Sequence, residues 1–526
     1  MSRGKRTLVW ALLPAAAAAA IWGFRPGAES LPGCAEAHRQ AATYPDYSGI
    51  VIPPNVAPLN LKVRESGRKF CLRLACQAGP PVEVFSANPN IAIPLAPWRR
   101  LLQANAAGEL RMDIYVKGEG GWTHFDTVRN RIAADQIDAY VVYRYLPPVY
   151  DKWGQMSLRQ RDLRSFEERV LFDNQRSRDP EGRSIGGACI NCHTFLNHRT
   201  DRMLLHFRPG SGSSQIPAMI LVRNGRAEKV DTRVAGKGGA AAYIAWHPSG
   251  KLLAFSRNSL AQIFHTAGVE VREVVDRDSD LGLYAVDTGQ VYTVPEISRP
   301  DRLETFPTWS PDGRYLYFCS APALPDKRNL LLQYDKIQYD LVRIAYDAAA
   351  GRWGQVETVV AAARLGKSIS LPQISPDGRF LMFCGHDYGS FPIFQPSSDL
   401  YMLDLSLVGT PGEAAPRRLD EINSPRSDSY HTWSSNGRWV LFSSKREDGL
   451  FARLYIAHLE AGGRFDKPFV LPQRDPEFYS RCLMTYNRPE LVAEPVTVSD
   501  AELARAIDSG TESAPAAPGE PWQPLR

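Results

Sequence analysis

Cys189-Ile190-Asn191-Cys192-His193 is the place in this chain where residue type and spacing dictate a specific chemistry. Two residues between the cysteines set both sulfurs where they can add to the two vinyl groups on one edge of a porphyrin. The adjacent His193 is then aimed at the iron as proximal ligand. With 8 Cys and 10 His in 526 residues, chance yields such a pentapeptide in roughly two chains per thousand. Zinc is a competing reading, but zinc wants four tetrahedral ligands, and no second Cys or His pair stands nearby at short spacing. A redox dithiol is another, yet no βαβ pattern surrounds the motif. The expectation is one covalent haem c, with Cys189 and Cys192 in thioether linkage and His193 on the iron.

The sixth iron position has candidates downstream. Met203 and His206 follow soon after the motif and are three positions apart, so at most one aims at the iron from a given face. Methionine would raise the reduction potential and suit electron transfer. His198 and His247 are further candidates, although His247 occupies a repeated turn position where serine stands in the other copies. Asp276, Asp278, Asp280 and Asp287 resemble a calcium loop, but its sixth position, which needs Gly, is Leu281. Asp428-Ser-Tyr-His431-Thr-Trp433 looks catalytic in isolation, yet a buried His beside a strand turn is more often a hydrogen-bonding brace. No nucleophile elbow, phosphate loop or zinc-protease helix is present, which favours an electron carrier or scaffold over a catalyst.

The elements that must position the motif are mostly strands. From Leu59 to Tyr145, short alternating runs such as FCLRL at 70–74, LRMDIYV at 110–116 and AYVVYRY at 139–145 read as a small β-sandwich over residues 40–150. Ser157 with Gln160 forms a capping box, and Leu163, Phe166 and Val170 recur at helical spacing. A short helix and the haem-attachment segment are therefore expected over 151–200. Beyond residue 200 the chain repeats itself: Trp246-His-Pro-Ser-Gly, Trp309-Ser-Pro-Asp-Gly, Ile374-Ser-Pro-Asp-Gly and Trp433-Ser-Ser-Asn-Gly each precede an alternating strand. A further strand begins at Asp280, Asp340 and Asp399. Four antiparallel strands per unit make a propeller blade. Residues 201–495 hold five or six such blades, the first begun by RMLLHFR at 202–208 and MILVRNGRAEKV at 219–230. A helix capped by Ser499 with Glu502 and a Pro/Ala-rich disordered tail are expected over 496–526.

Composition sets the outer limits. The 40 Gly, 40 Pro, 11 Trp, 21 Tyr and 21 Phe suit an all-β chain with frequent turns. A net charge of +5, with no basic cluster interleaved by aromatics, gives no electrostatic track for nucleic acid. Arg3, Lys5 and Arg6 precede an uncharged run over 7–24, which reads as a secretory signal peptide within residues 1–30 or as an uncleaved membrane anchor. Cys34 follows a faint lipobox. Export implies the periplasm or the outer face of the cytoplasmic membrane, where haem is attached to c-type proteins and disulfides are permitted. Cys71 and Cys76 lie five apart on an alternating stretch; in one continuous strand they would face opposite ways and could bond only across a bend, so their pairing stays open.

WSPDGRYLYF and ISPDGRFLMF resemble the WD-like repeats of TolB-type β-propellers. ACINCHTF followed by RMLLHFR, AWHPSG, SYHTWSSNGRWVLFSSKREDG and YNRPEL resembles, more narrowly, exported bacterial TolB-like proteins with a single C-x-x-C-H segment. That resemblance implies an envelope location and a haem held by Cys189, Cys192 and His193, and it implies little about a reaction. The leading functional expectation is electron transfer between redox or envelope protein partners docked on the propeller. A non-catalytic binding scaffold with a structural haem and a haem-dependent oxidoreductase acting on a small molecule are the alternatives. The haem is expected in a cleft between sandwich and propeller.

Overall fold

The computed structural model describes residues 33–148, 154–175, 189–209, 216–233, 241–267, 272–409 and 415–510. The hydrophobic segment 7–24, the linker 176–188 and the Pro/Ala-rich tail lie outside the described residues. No helix among the described residues is long and apolar enough to cross a membrane.

Each repeated turn works by the same local chemistry. In Ser310-Pro-Asp-Gly the Ser310 hydroxyl donates to Asp312 Oδ1 at 2.6 Å, and the Gly313 N–H closes on Ser310 O at 2.8 Å. Gly313 has φ +72°, a conformation open to glycine at no steric cost. Ser375 with Asp377 and Ser434 with Asn436 repeat the arrangement. In the first copy His247 replaces the serine and pairs through Nδ1 with Ser249 Oγ at 2.7 Å. These turns reverse the chain between a first and a second strand, and a third and fourth follow.

Six four-stranded antiparallel sheets result among the described residues. Five have a contiguous order, opening with Cys189–Leu196, Ala242–Trp246, Arg302–Trp309, Ser368–Ile374 and Asp428–Trp433. The sixth is assembled from distant pieces: Thr485–Val492 pairs with Tyr140–Leu146, which continues to Ser157–Asp162 and Glu168–Asp173. The six edge strands touch one another in cyclic order, so they form an inner ring and the fold is all-β and propeller-like. Neighbouring sheets cover both faces of each, which is why Phe380–His386 and Trp439–Ser444 are buried at every position.

Two expectations are corrected. The helix expected from Ser157 through Leu163, Phe166 and Val170 is a hairpin of strands Ser157–Asp162 and Glu168–Asp173. Asp162 breaks the run by accepting the Arg164 N–H at 2.8 Å, and its own N–H donates to Glu167 O. Gln160 does not cap a helix; its Oε1 accepts the Val496 N–H at 2.6 Å. The run 139–145, read as part of the N-terminal sandwich, lies in the ring instead, because the closing strand Thr485–Val492 pairs along it.

The N-terminal segment forms a seven-stranded sheet, a three-stranded sheet and the helix Leu95–Ala104, which buries Trp98, Leu101 and Leu102. Its apolar core is continuous with that of the ring through Trp439 and Leu491. At the other end of the chain the Ser499 hydroxyl accepts the Glu502 N–H at 3.1 Å and caps Asp500–Asp508, which lays Leu503 and Ile507 on the Cys189–Leu196 sheet.

Since the closing strand is the only described piece from the C-terminal side in its sheet, loss of its packing opens the ring. Leu491→Ala is expected to lower stability by about 3 kcal/mol, whereas Leu483→Ala, at a side chain 70% exposed, stays within about 0.5 kcal/mol. Urea unfolding of both variants measures the difference.

Candidate functional site

The pentapeptide opens an inner-ring strand, Cys189–Leu196. Asn191 pairs with His206 and Thr194 with Leu204, so Cys192 and His193 together oppose Leu205 in a β-bulge. Cys192 has φ +51°. A left-handed cysteine costs on the order of 1 kcal/mol and invites a functional reading, but the same bulge recurs on all six inner strands. Tyr243, Phe306, Leu371, Tyr430 and Arg488 occupy it with φ between +44° and +53°. Ring architecture therefore dictates the Cys192 conformation. The residues after the bulge are His193, Ile244, Pro307, Pro372, His431 and Pro489, and all six are buried.

Alternation along the strand puts Cys189 and Asn191 on one face, and the inserted bulge residue joins them. Cys189, Asn191 and Cys192 all line a cavity of about 310 Å³ on one side of the bulge ring. Burial pushes the Cys189 thiol up, against the pull of Arg208. Asn191 Nδ2 donates to Cys189 Sγ at 2.9 Å, and Arg144 Nη1 approaches Cys192 Sγ at 3.9 Å. Four cations, Arg144, Arg208, Arg272 and Lys445, line the cavity, and no carboxylate does among the described residues. Tyr243, Phe391, Phe394 and Tyr430 supply aromatic wall. Two thiols for thioether bonds, flat apolar walls and cations for two propionates fit a covalent porphyrin.

The motif's own imidazole does not fit. His193 is fully buried, and its Nε2 donates to Val142 O at 3.2 Å in the neighbouring sheet. Its Nδ1 is buried and has no hydrogen-bond partner among the described residues. Burial, with Arg488 and Arg144 nearby, holds it well below the usual histidine range and therefore neutral. His206 instead lines the cavity, opposite Asn191. Its Nδ1 donates to Ala241 O at 2.6 Å, and burial lowers its pKa to about 4.

The remaining candidates are dispersed. Met203 is fully buried in the apolar cluster with Phe195 and Ile220. His198 holds Leu491 O at 2.9 Å on the far side of the bulge ring, and His247 is a turn residue stacked edge-on against Trp309. Asp276 accepts from Tyr339, Ser390 and Asn258, while Asp280 faces Arg257 at 3.4 Å. No group of three or more His, Cys, Asp or Glu among the described residues comes together to hold a metal ion. Asp428 is paired with Arg446 at 3.0 Å, and His431 is buried against Cys384. Cys71, Cys76, Cys189 and Cys192 are in no disulfide.

The chain's position on the axis, and hence the cavity, was not read from the sequence. A signal for it exists: Cys192-His-Thr-Phe195 matches Tyr430-His-Thr-Trp433, Phe306-Pro-Thr-Trp309, Leu371-Pro-Gln-Ile374 and Arg488-Pro-Glu-Leu491. The motif is the inner strand of a repeat, on the axis of the ring, and the expected cleft between the N-terminal sheets and the propeller is not where its thiols open.

The chain matches no family model and no curated protein. Similar solved structures include prolyl oligopeptidase B from Galerina marginata, with 12% identity, a TM-score of 0.34 and coverage of 69% of this chain and 42% of that one. An oligogalacturonate lyase in complex with manganese has 12% identity and a TM-score of 0.32 over 76% of this chain and 99% of that one. An auxiliary nutrient binding protein from Bacteroides thetaiotaomicron has 9% identity and a TM-score of 0.30 over 79% and 84%. The chain spans less than half the length of the oligopeptidase. At TM-scores this low the likenesses carry no chemistry, and the propeller-like description rests on the sheet order itself.

Beyond the bulge ring a second cavity of about 490 Å³ is bordered by Glu490 of the closing strand. Its Oε1 accepts the Phe195 N–H at 2.7 Å and the Thr194 hydroxyl at 3.3 Å, pinning the pentapeptide strand. Burial raises the carboxyl to about 7, above its unfolded value of about 4.3. The folded state thus keeps a proton that the unfolded state releases, and stability falls as pH rises from about 4 to about 7. Glu490→Gln, which keeps an acceptor oxygen, is expected to match the parent near pH 4 and to exceed it by about 3 kcal/mol at pH 8. Urea midpoints at the two pH values measure this, and an equal difference at both contradicts it.

Proposed function

We propose that this is an exported c-type haem protein of the TolB-like class, a six-bladed propeller that carries one haem c on Cys189 and Cys192 and passes electrons between protein partners. The observation that carries the reading is that both thiols of the pentapeptide open onto one cavity whose described lining is aromatic, cationic and free of carboxylates. The six four-stranded sheets support the blade count, and the repeated turns with the single pentapeptide support the class.

A haem bound here supplies a one-electron couple. The chain's residues do the rest. Cys189 and Cys192 would tether the porphyrin edge, and Arg144 and Arg208 of the same cavity would offset its carboxylate charge. Tyr243 and Tyr430, at the bulge ring between the two cavities, would wall its inner side. A low-dielectric, cation-lined site disfavours added positive charge on the iron and so raises the potential.

The chain is to be produced in a host that matures c-type cytochromes, and its mass and pyridine haemochrome spectrum recorded. A mass increment of one haem and a bound colour that survives denaturation are expected, and both should vanish in Cys189→Ala/Cys192→Ala. A colourless parent with both thiols free overturns the proposal and leaves a propeller without a redox role.

A further inference from the structure

The disagreement between the pentapeptide and its geometry has a resolution in the cavity wall. His193 occupies the ring position held by proline in three of the other five repeats, where the residue packs between sheets. Its Nε2–H is committed to Val142 O, an acceptor only. Reaching the cavity would require breaking that bond and withdrawing the ring from a fully buried layer. Met203 is likewise locked in apolar packing.

His206 has none of these obstacles. It stands on the adjacent strand, directly across from Asn191, with its ring on the cavity that receives Cys189 and Cys192. Ala241 O can only accept, so Nδ1 carries the ring proton and Nε2 carries the lone pair. A backbone carbonyl on the second nitrogen is the partner that fixes tautomer and orientation in metal-ligating histidines. We propose that iron held in this cavity takes its protein imidazole from His206, with His193 remaining a packing residue of the ring. The inference rests on the haem reading above. Nε2 of His206 is the atom that would hold the iron, through its lone pair and with no change of proton or electron count.

The test uses the matured holoprotein and reads the iron spin state by visible and electron paramagnetic resonance spectra, with carbon monoxide as probe. His206→Ala should lose the imidazole signature of the parent and gain ready carbon monoxide binding. His206→Met should bring a thioether-type spectrum, which covers the case in which the alanine variant folds poorly. Met203→Leu should leave the spectra unchanged, and His193→Gln should lower thermal stability while keeping the parent spectrum. If the His206 variants keep the parent spectrum and His193→Gln loses it, the inference is overturned while the haem reading stands. A colourless parent overturns both.

Discussion

The pairing of Thr485–Val492 with Tyr140–Leu146 is the contact on which the rest of the molecule depends. It joins residues more than three hundred positions apart, as in the 2.7 Å bond from Arg144 Nε to Asn487 Oδ1. Such a contact carries the entropic cost of closing a long stretch of chain. Once made, it abolishes the open edge that a row of sheets would otherwise present. It also sets the surroundings of the pentapeptide strand: Glu490 holds Phe195, and Arg144, from the partner of the closing strand, reaches Cys192.

The ring imposes its own geometry on whatever sequence it is given. Six inner strands converge on one axis, and each takes up the convergence with a one-residue bulge at the same height. Cysteine, tyrosine, phenylalanine, leucine and arginine all accept the left-handed conformation there, although it suits none of them. Cys192 is therefore presented to the axis for architectural reasons. The residue after it is pushed between sheets for the same reasons, which is why a pentapeptide that in an unconstrained loop would offer two sulfurs and an imidazole to one ligand here offers the sulfurs alone.

Much of the ring was legible because its turns are written in residues with few substitutes. Asp or Asn two positions after the serine, and Gly at the next, announce a tight reversal wherever they occur, and the flanking apolar alternation identifies the strands. The sixth sheet was hard to read because its four strands come from two ends of the chain and share no repeated turn. The hairpin at 157–173 misled because Leu163, Phe166 and Val170 fall at helical spacing by coincidence, across a turn made by Asp162. The pentapeptide itself was legible as chemistry but not as architecture. The likeness of Cys-His-Thr-Phe to Tyr-His-Thr-Trp, which marks it as an inner strand, is visible only once the repeat frame is known.

The claim that joins these observations is that the porphyrin sits on the propeller axis, against the bulge ring. An anomalous difference map at the iron absorption edge, from crystals of the matured protein, tests it most directly. The account predicts a single iron peak inside the cavity bounded by Cys189, Cys192 and His206. A peak between the N-terminal sheets and the ring, beside the helix Leu95–Ala104, or no peak at all, would contradict it.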